Sequence, residues 1–397
     1  MVYNSQYIVF RIYCIKEVDM RRTEWNYYTI MHKEKAVACI HRNGRCELYC
    51  EKFMPYNLYL ENSGVNNIDE CINNLENFYY WCSSRMLTLD RKYAKEILNT
   101  LGRKQAVTDR DRADIALSYH CLSLTDVYWV RGEEEEISFE DINLYNNSLS
   151  GAFVDVCLRG KGMTAQNAQL LEESDVAGDL ATSGVAPKAW VRRGKTFGLL
   201  KDGDIRDVKA ELLASKIIDC FDVSHVRYCE DMYEGQLVSA SEIISSLEMS
   251  LVPAEFVEIY AANNDMGLLD IVLEKDSYSY HMMNIMDYLI GNSDRHWGNW
   301  GFYVDNETNE LIRLYPLMDF NKAFTAYEDM SGGLCLTAGR KMTQQEAATI
   351  GIRTIGLNQI AEVMPEWFEN NEWREMFNQR LSYLKKEANY GYEETDY

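Results

Sequence analysis

Proline is scarce in this chain, five among 397 residues, and glycine, at 23, is below the usual share. So few breakers exclude collagen-like, proline-rich and linker-dominated classes and leave a folded globular protein. Basic charge is also short: 40 lysines and arginines face 62 acidic residues, a net charge of -22. A surface of that sign repels phosphate backbones and anionic bilayers unless a dense basic patch intervenes. None is found in the sequence, so no direct nucleic-acid or membrane contact is expected. The acidic run Glu133 to Glu136 reads as a solvated loop.

Long apolar runs are missing as well. The N-terminal window YIVFRIYCIKEV is cut by Arg11 and Lys16 and is too short to span a bilayer. Cysteine patterns are missing despite eleven cysteines: there is no CxxC pair, and Cys46 and Cys50 have no companion His or Cys for zinc. With no leader evident, reduced thiols and a cytoplasmic location are expected. No internal repeat or low-complexity segment occurs.

What is there is 47% apolar residues, enough for two or three cores. KAVACI and ELYC flank HRNGRC, where Asn43-Gly44 supplies the positive φ angles of a tight hairpin. From about Asn67 to Tyr128 the pattern reads as helical: NLENFYYWCSSRML, DRKYAKEILNTLG, then TDRDRADIALSYHCLSLTDVYWV with Thr108 and Asp111 as its cap. Composition shifts at Leu144 to Gly162. From Pro187 the order is strand (PKAWVRRG), strand (KTFGLLKDG), helix (DVKAELLASKIIDCF) and two strands (HVRYCEDMYEG, QLVSASEII). From Pro253 on it is mainly helical, interrupted by the hairpin GFYVDNETNELIRLYPLMDF with Asn306 to Asn309 at its tip. A β-rich segment with one helix, then a helix-rich segment with one hairpin, is the layout of a two-lobed kinase. The expected fold is α+β and protein-kinase-like: an N-terminal α/β accessory region at 1–150, a β-rich N-lobe at 151–250 and a helical C-lobe at 251–397.

Phosphoryl transfer needs a phosphate loop, a lysine, a carboxylate at the acceptor and oxygen ligands for metal. GNSDRHWGNWG, at Gly291 to Gly301, offers Asp294 and Asn299 five positions apart. The preceding helix, HMMNIMDYLIG, has Met282, Ile285, Met286 and Leu289 on one face, which makes it a buried support. An Asx-rich turn would explain Asn292, Ser293 and Gly298, but not the whole set. Asp319 ends the strand YPLMDF; with Asn299 it suits Mg²⁺, although capping of the hairpin is the plainer account of it alone. Lys201 closes FGLLK, and Glu211 flanks the apolar stripe of Ala210, Leu213, Ala214, Ile217 and Phe221, so a Lys-Glu pair would aim the ammonium at α- and β-phosphates. Solvent-facing side chains are the alternative. Ser183, Gly184, Val185 and Ala186 form a small-residue loop that lets backbone N–H groups approach phosphate, or else a plain turn. Trp297 and Trp300 read as packing residues.

DRHWGN matches the catalytic loop of phosphoinositide-kinase-like enzymes, and IGNSDRHWGNWGF followed by PLMDF is particularly similar to HipA-like bacterial serine/threonine kinases. SGVAPKAW, LLKDG and AELLAS resemble their P-K strand, strand lysine and helix glutamate. The resemblance spans roughly residues 90 to 350 and is strongest at 280 to 324. It implies Asp294 as catalytic base, with Arg295 and His296 supporting the loop or the transferred phosphate. It also implies Asn299 and Asp319 as Mg²⁺ ligands, Lys201 on the α/β-phosphates, and an adenine-side hinge at Val238 to Glu242, including Ser239 and Ala240. ATP and Mg²⁺ are the implied cofactors. The implied partners are a protein substrate carrying Ser or Thr and a small antitoxin or DNA-binding protein. The chain departs from ordinary protein kinases in reading Asp-Arg-His for His-Arg-Asp and DFN for DFG, and its phosphate loop is poor in glycine. Competing readings are a lipid kinase, transfer of AMP instead of phosphate, and a non-catalytic nucleotide-binding scaffold.

Overall fold

The computed structural model describes residues 25–64, 67–85, 108–118, 120–146, 188–193, 196–233, 235–325 and 329–393. The chain divides into two units, Met1–Val185 and Ala186–Tyr397. Ser183 to Ala186, the helix expected at 90–102 and the composition shift at 147–162 lie outside the described residues.

In the first unit, β1 (Tyr27–His32), β2 (Lys35–His41), β3 (Cys46–Leu48) and β4 (Tyr128–Gly132) form a sheet in the order β3-β2-β1-β4. The β2–β3 hairpin turns at Gly44, whose φ of +84° favours glycine and whose place a Cβ would contest with the Cys71 carbonyl. Helices α1 (Ile68–Ser84) and α2 (Asp109–Ser118) are accompanied by the single turn α3 (Phe139–Ile142). Phe78 and Trp81 of α1 join Ile30, Val37, Ile40 and Val130 of the sheet in one apolar core. The expected Thr108 cap is made: Thr108 Oγ1 accepts from Asp111 N (3.1 Å), and the Asp111 carboxylate accepts from Thr108 N (3.0 Å).

One expectation fails here. The helix read through Val130 stops at Ser118, because His120 and Cys121 take left-handed φ values of 58° and 54°. Tyr128–Gly132 then runs as a strand paired with β1, its apolar run buried on both faces. Periodicity does not separate a short buried strand from the end of a helix.

In the second unit, β5 (Lys188–Arg193), β6 (Thr196–Lys201), β7 (Cys229–Tyr233) and β8 (Gln236–Glu242) form an antiparallel sheet in the order β5-β6-β8-β7. Helix α4 (Ile205–Ile218), capped by Asp204, packs on β8. A second sheet, β11-β10-β9, joins β9 (Met249–Pro253) to the predicted hairpin β10 (Gly301–Asp305) and β11 (Glu310–Leu314). Strand β9 is not legible in the sequence; its five residues become a strand by pairing with β10.

The remaining helices are α5 (Ala254–Asn263), α6 (Leu268–Ile290), α7 (Gln344–Ile355) and α8 (Asn371–Glu393). Helix α6 is broken at Asp276 (φ -158°, ψ 66°), whose carboxylate accepts from Ser279 N and Leu314 N. Beyond the break, Tyr280 to Ile290 is buried on every side, not on one face as expected, because α7 and the hairpin both pack on it. Gly291 ends it with φ +62°.

Among the described residues no helix is long and apolar enough to cross a membrane.

Candidate active site

The loop after Gly291 is tied down by a buried arginine. Arg295, 3% exposed, donates from Nε to Asp287 Oδ2 and from Nη2 to Asp287 Oδ1, each at 2.9 Å, a fork held on α6. Its Nη1 donates to Asn299 O (2.8 Å) and Met318 O (2.6 Å). Burial alone would lower the guanidinium pKa, but Asp287 holds it above its ordinary value. The Asn292 amide also donates to Asp287 Oδ1, at 3.0 Å.

These bonds set the polar residues of the loop. Asp294 is half-buried; its N–H donates to Asn292 Oδ1 (3.3 Å) and its carbonyl accepts from Asn299 Nδ2 (2.9 Å). Asn299 therefore spends its NH₂ on the backbone, and Oδ1 is the atom with which it can meet a cation. His296 is exposed, and its Nδ1 accepts from Gly298 N (3.1 Å). Trp300 is buried, as a packing residue should be, but Trp297 is 38% exposed, with Nε1 donating to Leu336 O at 3.1 Å. Its indole lies partly at the surface and ties the loop to Leu336, whereas Trp300 is enclosed.

Asp319 follows Met318, so the Arg295 bond to the Met318 carbonyl fixes its approach. Its backbone is left-handed, φ +61°, unusual for a residue with a side chain. Lys201 Nζ meets three acceptors: Glu211 Oε1 at 2.8 Å, Asp319 Oδ1 at 3.1 Å and Tyr228 OH at 3.1 Å. Burial opposes the charge on Lys201, but Asp319 and Glu211 outweigh it and hold its pKa well above the ordinary lysine value. Glu211, expected at the edge of its helix stripe, is fully buried and accepts Ser239 Oγ–H with its second oxygen.

Ser239 and Ala240 are both buried in the middle of β8, opposite Lys201 and Leu200. The expected adenine-side segment, Val238 to Glu242, thus lies in β8, where pairing with β6 draws 239–242 into the ladder, and the chain passes on to β9 through residues 243–248.

Sequence reading missed Tyr228 and the contacts that steady α4. Asp207 on α4 pairs with Lys322, and Arg206 donates to the Ala323 carbonyl, so the turn after Asp319 is fastened to the helix carrying Glu211. No spacing signal marks these residues; they meet through the fold.

A small cleft, open to solvent, is lined by Lys201, Asp202, Gly203, Asp207, Glu211 and Ser239, among others. Even with Glu211 paired to Lys201 and Asp207 to Lys322, its carboxylates make it a poor host for a bare polyphosphate and a fit one for a polyphosphate accompanied by a divalent cation. Asp319 and Asn299 offer hard oxygen donors of the kind Mg²⁺ takes. Among the described residues no group of three or more His, Cys, Asp or Glu is placed to hold a metal by itself. Such an ion would complete its shell from phosphate and water.

No family model and no curated protein matches the chain. Among solved structures it is similar to the HipA of Shewanella oneidensis, from a toxin–antitoxin complex with HipB and operator DNA. The match has 12% identity and a TM-score of 0.50, covering 92% of this chain and 90% of that one. It is also similar to the proinflammatory kinase CtkA of Helicobacter pylori, with 13% identity, a TM-score of 0.44, and coverage of 54% of this chain and 94% of that one. At such identities a likeness speaks for architecture alone. The chain has the two-lobed α+β fold of HipA-like kinases, in agreement with the resemblance carried by DRHWGN and PLMDF.

Proposed function

We propose that the protein is an ATP- and Mg²⁺-dependent kinase that phosphorylates a serine or threonine hydroxyl of another protein. One observation carries the reading: Arg295 Nη1 donates to both Asn299 O and Met318 O, joining the Asp294–Asn299 loop to the segment that presents Asp319 to Lys201, which lies beyond the end of β11 at Leu314 and not at a strand end as expected. Fixed geometry of this kind is what phosphoryl transfer asks of a protein, because positioning and charge supply most of the catalysis.

Asp294, half-buried on the anchored loop, orients the acceptor hydroxyl and accepts its proton as the hydroxyl oxygen bonds to the γ-phosphorus and the bond to ADP breaks. Asn299 Oδ1 and the Asp319 carboxylate are the proposed holders of Mg²⁺, which when bound neutralises phosphate charge. Lys201, kept charged and aimed by Glu211, binds the α- and β-phosphates once it exchanges a protein acceptor for them. Arg295 supports the loop from below, and exposed His296 borders it. Ser183 to Ala186 remain the proposed phosphate loop, with Ser183 a candidate for autophosphorylation, and Val238 to Glu242, with Ser239 and Ala240, the proposed adenine side. The HipA complex with HipB and operator DNA supports a small DNA-binding protein as partner.

Asp294→Ala and Asp319→Ala are each expected to abolish transfer of label from γ-labelled ATP, with melting within a few degrees of the parent. Wild-type turnover in either variant sinks the assignment. Labelling from α-labelled ATP would mean AMP transfer, and Mg²⁺-dependent nucleotide binding without transfer would mean a scaffold. Intact mass after incubation with ATP checks Ser183.

A further inference from the structure

We propose that Tyr228 is a positioning residue for phosphoryl transfer, its hydroxyl oxygen holding the Lys201 ammonium and the Asp319 backbone in one arrangement. The inference rests on the kinase reading of the site and adds a residue that reading does not contain. The Tyr228 hydroxyl accepts from Lys201 Nζ and from Asp319 N, each at 3.1 Å, so one oxygen ties the phosphate-facing lysine to the carboxylate at the metal position. The ring adds to this, with Lys201 Nζ 4.7 Å from its centroid and Phe320 edge-on at 6.0 Å.

Topology explains how a residue 91 positions away reaches Asp319. The segment before β7 runs alongside the segment before Asp319: Leu317 N donates to Ser224 O (2.9 Å), Val226 N to Leu317 O (2.8 Å), and His225 and Leu317 form a parallel bridge. Tyr228 N is itself held by Ser215 Oγ of α4, at 3.1 Å. The tyrosine is thus clamped between the helix that carries Glu211 and the segment that carries Asp319. The side chain is buried, 7% exposed, with its hydroxyl oxygen turned to both donors. The Asp319 N–H bond bears on a strained backbone, because that residue sits at φ +61°.

Tyr228→Phe keeps the ring and removes the acceptor. Binding of a non-hydrolysable ATP analogue with Mg²⁺, followed by titration calorimetry, is expected to weaken roughly tenfold. The Mg²⁺ concentration for half-maximal turnover should rise by a similar factor while kcat at saturation changes by less than about threefold, a split that loss of folding would not produce. A variant that binds and turns over like wild type overturns the proposal and leaves the kinase reading standing. A wild-type protein that binds no nucleotide overturns both. If Tyr228→Phe does not fold, amide exchange in the wild-type protein decides. The Asp319 N–H should exchange on the order of 100-fold more slowly than an unprotected amide, and exchange at the open-loop rate overturns the assignment.

Discussion

Arg295 and Asp287 meet as a buried fork, two 2.9 Å bonds between a loop guanidinium and a helix carboxylate. The pair secures both the DRHWGN loop and, through the Met318 carbonyl, the approach to Asp319. Asp287→Ala would leave a buried guanidinium without its counterion, so unfolding in urea should show a loss of about 3–5 kcal/mol. Arg295→Lys keeps the charge but cannot make the fork and reach both carbonyls. It is expected to fold, to be less stable, and to lose transfer activity by roughly 100-fold, since loss of loop placement is costly to rate.

Lys201 forms buried ion pairs with both Glu211 and Asp319. Its pKa is raised in the folded state, so its contribution is fully present below the unfolded lysine value of about 10.4 and is lost only above it. Stability from this group should be flat between pH 5 and 9. In Lys201→Met the two buried carboxylates lose the ammonium they share and are expected to take up a proton to stay buried, which reverses the sign. The variant should lose stability as pH rises from about 5 to 8, read as a falling melting temperature where wild type shows no such trend.

His32, in the first unit, is buried with no hydrogen-bond partner for Nε2, between Phe53 and Tyr128. Burial, with Lys33 adding to it, lowers its pKa to about 4. A depressed histidine stays neutral in the fold while the unfolded chain takes up a proton below about pH 6.5, so stability falls as pH drops from there to 4 and levels off below. The contribution is on the order of 3 kcal/mol. Denaturant curves at pH 4 and 7 should differ less in His32→Phe than in wild type, and an equal difference would rule the effect out.

Lys322 and Asp207 form an ion pair whose lysine side chain is 44% exposed. Water and salt screen it, so Lys322→Ala should cost at most about 1 kcal/mol in thermal unfolding, far less than Asp287→Ala. A larger loss would mean that the turn after Asp319 depends on this one contact.

Legibility in the sequence followed the range of the interactions. Strands β5 to β8, helix α4 and the β10–β11 hairpin could be read because alternation, an apolar helix stripe and an Asn-bounded tip are local signals. β4 and β9 could not, because short apolar runs become strands by pairing with distant partners. In the site, Lys201, Glu211, Asp294, Asn299 and Asp319 were legible as residue types in order. Tyr228 was not, since a tyrosine before a strand has many uses and only the His225–Leu317 bridge brings it to Asp319.

The amino-acid sequence by itself determined the two-lobed order of elements, the acidic surface and the polar loop after a buried helix. These follow from composition and from contacts within a few residues. Tertiary structure alone decided that Glu211 is buried, that Arg295 faces inward to Asp287 and two carbonyls, that Trp297 lies at the surface, and that Lys201, Tyr228 and Asp319 converge. A side chain's charge and length are written in its identity, but the partner that neutralises it comes from whichever segment the sheet register and helix packing bring alongside.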